Sequence, residues 1–512
     1  MPLHNDGCRP AKVAKKAQPL ASAGGSYTGR DHISELPDDI LGSILFLLPL
    51  KEAGRTTTLS KRWSGVFKIS PISLDDAHFV QFTRCPSKEA ALRYKAVAVI
   101  NRILKEHMGP VQCVRLVKTH FQGNGYGQGI DTKAFEKRGM EELIVRSTNA
   151  IQFFPAPPLR SLQVIRCDWF APEQPMPATF AHIKELSLRA VKFSVSDLVA
   201  VLEHCVALES LLLSSFHKND KDAKIGRRPL RDACRTLPVR SQSLRSLSLE
   251  LVEMEEVVIV DARLLGQVSF EYFKLTLINA PKLQILGFLN MQIPSYTSMS
   301  SMYLELSRLI HSVKILGLCL ELCDIACVQK MLNILKYFPC LETLNIKILS
   351  NHTITHTLYS EGTYTNFLHL AEHIDCLRDS VRTIVMNEVY LERNNCGLQF
   401  LKMLLESAKK LQLMKIFHIP VNKKKQARST RRKLDLKSHP SIKARLIFPR
   451  DYDISRRQVS DVLMDASSLT VSDPFFYPRT FLTECCARED WRCYGEWDLV
   501  QKCGPTILQD IL

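Results

Sequence analysis

The sequence predicts an α/β fold in which a solenoid of short strand–helix repeats follows a small all-helical head, with flexible basic tails outside both. Three observations carry this. Within residues 31–70, apolar side chains recur at helical spacing between prolines. From residue 111 onward, an apolar-x-x-apolar-x-apolar triplet returns again and again. The net charge of +16 is also concentrated in two flanking segments. Residues 1–30 hold five Lys/Arg against one Asp, and residues 421–460 hold thirteen against three Asp. The remaining 442 positions are close to neutral, so the charge marks tails and not a basic binding face. Nucleic acid is therefore not expected as the main partner.

In the head, Leu36 and Pro37 open a first helix, with proline where its missing N–H costs nothing. Asp38 and Asp39 follow in the first turn, where carboxylates favour the positive end of the helix dipole. Ile40, Leu41, Ile44, Leu45 and Leu48 form two adjacent apolar rows, and Pro49 ends the helix. A second short helix is predicted over Lys51 to Thr57, and a third containing Leu59, Ser60, Lys61, Arg62 and Trp63. Three such helices carry more apolar surface than they hide from one another. The surplus either docks a partner or packs on the rest of the chain.

The run ISELPDDILGSILFLLPLKEA, followed by LSKRW, resembles the plant F-box, the adaptor-docking module of ubiquitin-ligase receptors. By position, the resemblance implies that Leu36, Pro37, Ile40, Leu41, Ile44, Leu45, Pro49, Leu59, Ser60, Lys61 and Trp63 form the core and the surface that grips a Skp-type adaptor. Gly54, Ser64 and Phe67 depart from the usual larger aliphatic, Arg and Trp. A helical glycine costs about 1 kcal/mol relative to alanine, so Gly54 predicts a weaker second helix and weaker docking.

After a linker or capping helix over 71–105, twelve triplets follow. They are Val111/Val114/Leu116, Met140/Leu143/Val145, Leu159/Leu162/Val164, Ile183/Leu186/Leu188, Leu208/Leu211/Leu213 and Leu244/Leu247/Leu249. The series continues with Leu265/Val268/Phe270, Leu283/Leu286/Phe288, Val313/Leu316/Leu318, Leu341/Leu344/Ile346, Val381/Ile384/Met386 and Leu411/Met414/Ile416. Their spacings of 18 to 40 residues centre on the period of leucine-rich repeats, and the solenoid is expected over 106–365. Helices are predicted between strands, one starting at Ser196-Asp197-Leu198 with Val201, Leu202 and Cys205 on one face. Another runs from Gln329 to Tyr337, carrying Leu332 and Leu335. The strict repeat's asparagine after the strand is mostly absent, which predicts irregular turns.

Residues 366–420 form a unit of their own, in which a helix from Phe400 to Leu411 lies between two strand triplets. Phe400, Leu401, Leu404, Leu405 and Ala408 make its apolar face. The block is similar to the FBD domain that follows the repeats in plant F-box proteins, and it is placed to close the solenoid end.

Other segments carry less. Lys423, Lys424, Lys425, Arg428, Arg431, Arg432 and Lys433, in the 421–512 extension, read either as a nuclear-import signal or as a solvated linker. The glycine run GNGYGQG from Gly123 lacks the Lys-Ser/Thr of a phosphate loop. Cys485, Cys486, Cys493 and Cys503 lack paired metal knuckles, and His352 and His356 have no companion carboxylate. Neither metal, cofactor nor catalytic residue is expected. Sixteen cysteines scattered singly, with no N-terminal apolar segment and no membrane-length apolar run, predict reduced thiols in the nucleus or cytoplasm and no membrane partner.

The order of tail, F-box-like head, repeats and FBD-like block resembles the plant F-box/leucine-rich-repeat/FBD class. That resemblance implies a non-catalytic substrate receptor of a Skp–cullin–F-box ubiquitin ligase, with a cullin reached through the adaptor and a protein target on the repeats. The alternative is a non-degradative nuclear scaffold, protein- or nucleic-acid-associated, with a degenerate F-box.

Overall fold

A computed structural model describes residues 32–418 with interruptions, and a strand at 443–447. The larger gaps fall at 80–85, 120–129, 147–158, 168–177, 215–235, 251–255, 292–303, 349–358 and 390–394. The basic tail 1–30, the glycine run, His352 and His356, the 421–433 basic run and the C-terminal cysteines lie outside the described residues.

Three helices form the head: α1 (Asp38–Leu47), α2 (Leu50–Thr56) and α3 (Lys61–Ile69). Pro37 and Pro49 sit at the N-caps of α1 and α2, so Pro49 both stops one helix and starts the next. The third helix starts later than expected. Leu59 and Ser60 precede it, and the Ser60 hydroxyl caps it by accepting from the Trp63 amide at 3.2 Å. Leu41, Leu45, Ala53 and Val66 form a small core, with Leu36, Leu48, Trp63 and Phe67 packed against it.

Behind the head lie β1 (Ile72–Asp75) and the long α4 (Pro86–Glu106). The first run of strands is β2 (Val111–Leu116), β3 (Glu142–Arg146), β4 (Ser161–Cys167), β5 (Glu185–Val191), then α5 (Val195–His204) and β6 (Ser210–Ser214). Among the described residues, the middle run holds strands alone: β7 (Thr236–Arg240), β8 (Ser246–Glu250), β9 (Glu256–Asp261), β10 (Gln267–Phe270), β11 (Lys274–Leu277), β12 (Ile285–Asn290) and β13 (Leu304–Glu305). The last run is β14 (Ile315–Leu320), α6 (Ile325–Leu335), β15 (Thr343–Ile348), α7 (Glu361–Glu372), α8 (Asp375–Asp379), β16 (Thr383–Val389), α9 (Asn395–Ser407), β17 (Leu413–His418) and β18 (Lys443–Ile447).

Each of the twelve triplets leads into a strand of one fourteen-stranded parallel sheet. Its order is β1-β2-β3-β4-β5-β6-β8-β10-β12-β14-β15-β16-β17-β18. The sheet extends past the triplets at both ends, through β1 and β18. Successive strands align leucine on leucine, as in Leu186↔Leu211 and Leu211↔Leu247. A single core therefore runs the length of the solenoid, from Leu50 in the head to Ile416. Each leucine is buried by its neighbours above and below, which is how a one-dimensional stack holds together.

Three expectations are corrected. First, among the described residues the middle repeats return through strands and not helices. β7, β9, β11 and β13 form a second parallel sheet, whose Leu237, Val239, Val257, Ile259 and Leu275 enter the same core. Spacings of 18 and 21 residues explain this, because a strand advances about 3.3 Å per residue against 1.5 Å for a helix. Second, α6 and α9 are shifted toward the N-terminus. Asp324 caps α6 by accepting from the Ala326 amide, and α9 ends at Ser407, leaving Leu411 to open the next triplet. Third, the register of β12 shifts between Leu286 and Leu289. Leu289, not Phe288, therefore takes the third core position, and Phe288 turns to the opposite face with Cys319, Ile285 and Ile315.

Candidate functional site

The head divides its apolar residues cleanly. Leu41 and Leu45 are buried, whereas Ile40 is 47%, Ile44 36%, Leu47 82% and Leu59 68% exposed. Ile40, Ile44 and Leu47 follow at i, i+4 and i+7, which is one face of α1 turned away from the head's core. Ile33, 56% exposed, is a further apolar group in the segment before α1. Of the residues singled out by sequence, Leu36 and Trp63 are half-buried against the core, while Pro37, Pro49, Ser60 and Lys61 are exposed at the helix starts. Leu47 and Ile33 were missed, although the i, i+4, i+7 spacing of Leu47 was there to be read.

Local hydrogen bonds hold that face in shape. Arg62 donates to Asp38 Oδ1 from Nε at 2.9 Å and from Nη2 at 2.7 Å, pinning the start of α3 to the start of α1. The hydroxyls of Thr56, Thr57 and Thr58 donate to the carbonyls of Ala53, Gly54 and Arg55, satisfying the end of α2 that glycine would otherwise loosen. A Cβ added at Gly54 would meet no atom within 4 Å.

The head is joined firmly to the repeats. Leu50 belongs to the solenoid core, and Phe67 packs against both cores. His107 Nε2 donates to the Ser70 carbonyl at 3.0 Å while its ring meets Phe67 edge-on. Burial holds His107 below its ordinary pKa, hence neutral and suited to a single donated bond. The amides of Met108 and Gly109 both donate to Lys68 O at 3.1 Å. Gly109 is required there, since a Cβ would lie 2.4 Å from the Ser70 carbonyl oxygen. Arg138 reaches back to the carbonyls of Leu104, His107 and Gly109 at the end of α4. Asp76, wholly buried beside β1, accepts from the Thr119 amide and hydroxyl at 2.6 and 2.8 Å and from the Val117 amide at 3.2 Å. Desolvation outweighs these donors and raises its carboxyl to about 6.

The side of the long sheet opposite the leucine core is lined by side chains that are themselves mostly buried, Leu212, Ser248, Ser269, Asn345 and Val385 each being 1% exposed or less. Register places Ile144, Gln163, Ser187, Leu212, Ser248 and Ser269 on one line across it. The line continues through Gly317, Asn345, Val385 and Lys415. Small hydroxyl side chains at Ser210, Ser246, Ser248 and Ser269 occupy its middle, and the Phe288 island follows, with its ring 3.1 Å from where a Gly317 Cβ would stand.

No group of three or more metal-ligating side chains occurs among the described residues, and no described helix is long and apolar enough to cross a membrane. Burial pushes the Cys205, Cys327 and Cys376 thiols up to about 12, far from a reactive thiolate.

The F-box domain family model matches residues 33–73, the three-helix head and the start of β1. Residues 138–346 match a family described as the LRR repeats of FBD-associated F-box protein At5g56370. The chain thus carries an F-box domain followed by a region of leucine-rich repeats similar to those of FBD-associated F-box proteins. Among relatives in Arabidopsis thaliana, it is 25% identical to F-box/FBD/LRR-repeat protein At1g78750 over 45% of this chain and 50% of that one. It is 27% identical to F-box protein At3g60790, over 38% and 42% of the two lengths. With F-box/LRR-repeat protein At4g14103 it shares 40% identity over 15% and 19%. The matches cover about half or less of those relatives' lengths.

Proposed function

We propose that this chain is the substrate-recognition subunit of a Skp–cullin–F-box ubiquitin ligase. The observation that carries the reading is the exposed apolar row of α1, Ile40, Ile44 and Leu47, on a head whose own core is already filled by Leu41, Leu45, Ala53 and Val66. A Skp-type adaptor would cover that row and bring a cullin with it, while a protein target would sit on the repeats. Rate enhancement would come from proximity and orientation, with no catalytic side chain in this chain. The compartment proposed is nucleus or cytoplasm, and the 421–433 basic run is the proposed import signal.

Capture of the purified chain on an immobilised plant Skp-type adaptor tests the reading. Replacing Ile44 and Leu47 together by Asp should abolish capture while leaving the circular dichroism spectrum unchanged. Undiminished capture would sink the proposal.

A further inference from the structure

Two cysteines, Cys323 and Cys396, lie with their sulfurs 3.3 Å apart, 73 residues from each other in sequence. Cys323 follows β14 just ahead of the α6 cap, and Cys396 lies in the first turn of α9, beyond β16. The pair therefore reaches across the whole intervening repeat of β15. A second stitch runs beside it. Tyr359 donates its hydroxyl to the Leu322 carbonyl, and its amide donates to Gln399 Oε1 at 3.1 Å. The loops carrying the two sulfurs are thus held together by independent bonds, and their approach does not depend on the sulfurs themselves. Other thiols are engaged differently: Cys327 donates to Asp324 Oδ2 at 3.0 Å and Cys376 to the Leu335 carbonyl at 3.4 Å.

We propose that Cys323 and Cys396 form a reversible disulfide that clamps the last repeats together when the protein meets a peroxide-class oxidant. Cys323 is half-exposed and Cys396 buried, which sets the order of events. The Cys323 thiolate attacks the peroxide O–O bond, forming an S–O bond and releasing hydroxide, which takes up a proton to leave as water. The Cys396 sulfur then attacks the Cys323 sulfenic sulfur. The S–S bond forms, the S–O bond breaks, and the departing hydroxide takes the Cys396 proton as a second water. Burial and the neighbouring sulfur hold the Cys396 thiol above its ordinary pKa, so it acts as the resolving group and not as the first target. Reduction by a dithiol returns both thiols. Closing a 73-residue loop restricts the unfolded chain, so the oxidised form should melt higher.

The full chain treated with stoichiometric hydrogen peroxide, alkylated and digested, provides the test. A Cys323–Cys396 cross-linked peptide should appear before modification of Cys205 or Cys376. The melting temperature should rise by several degrees, and dithiothreitol should reverse both changes. Cys323→Ser, at a half-exposed position, should remove the cross-link and the shift, while Cys340→Ser, at an exposed position, leaves them intact. Recovery of Cys323 as sulfinic or sulfonic acid beside an alkylatable Cys396 would overturn the proposal, as would cross-linking that appears only on unfolding.

Discussion

Head and solenoid solve the same problem in opposite ways. Four residues, Leu41, Leu45, Ala53 and Val66, are the fully buried core of the head, and Ile40, Ile44, Leu47 and Leu59 are left outside. In the solenoid the inward positions of the strands are wholly buried, as at Leu186, Leu247, Leu316 and Leu344. The stack hides its leucines because each repeat supplies the cover for the next. A three-helix unit has no next copy and keeps its surplus in water. Apolar exposure in the head is thus a statement about a missing neighbour, and the solenoid shows what a complete set of neighbours looks like.

The contrast predicts where substitutions hurt. The largest effect belongs to the stack: Leu344→Ala removes a fully buried side chain between two paired strands and should destabilise by about 2–5 kcal/mol in urea denaturation. Next comes the junction. The folded-state pKa of Asp76, about 6, lies above its ordinary value of 3.8, so the native state holds that proton more tightly than the unfolded chain does. Its contribution is present in full below about pH 3.8 and is lost as pH rises through about 6. Asp76→Asn should remove that dependence, on the order of 2–3 kcal/mol across the window, seen as a difference in urea midpoints between wild type and variant at pH 4 and 7. An unchanged difference would place the proton elsewhere.

Smaller effects separate binding from folding. Leu47→Ala should leave stability within about 0.5 kcal/mol, because the side chain is 82% exposed, yet weaken adaptor binding about tenfold by titration calorimetry. If instead it destabilised the chain without touching adaptor affinity, the head would be packing on its own body after all. The smallest change runs the other way. Gly54→Ala meets no atom and should stabilise the head by about 0.5–1 kcal/mol, with adaptor affinity rising if the second helix limits docking.

Strand positions were legible because two conditions coincide at every triplet. Inward residues alternate along a strand, and solenoid stacking demands a large aliphatic at each of them. Where one condition lapses, so does the reading. β1 carries only Ile72 and Leu74, and β18 lies in a lysine- and arginine-rich stretch. The second sheet alternates well, as Val257 and Ile259 show, but strands on the return path were not expected of a strand–helix repeat. In β12, both Phe288 and Leu289 are apolar, and only the register shift decides which faces inward. The head posed a related difficulty. Apolar residues at 40, 41, 44, 45, 47 and 48 fall on one broad stripe spanning nearly half the circumference of α1, and periodicity alone does not say which edge of that stripe is core and which is surface. That division depends on where α2 and α3 pack.

The junction built by Ser70, His107, Gly109 and Arg138 has a geometric consequence. With the head fixed to β1, the strands become the graduations of a ruler. Fourteen strands at about 4.8 Å apart carry the far end of the sheet about 60 Å along the arc from the head. A target seated over β5 and one seated over β16 would present their lysines at very different reach from anything the head holds. Gaining or losing a single repeat would move that position by about 5 Å without altering one contact residue. Repeat number is then a length setting, adjustable independently of what is recognised.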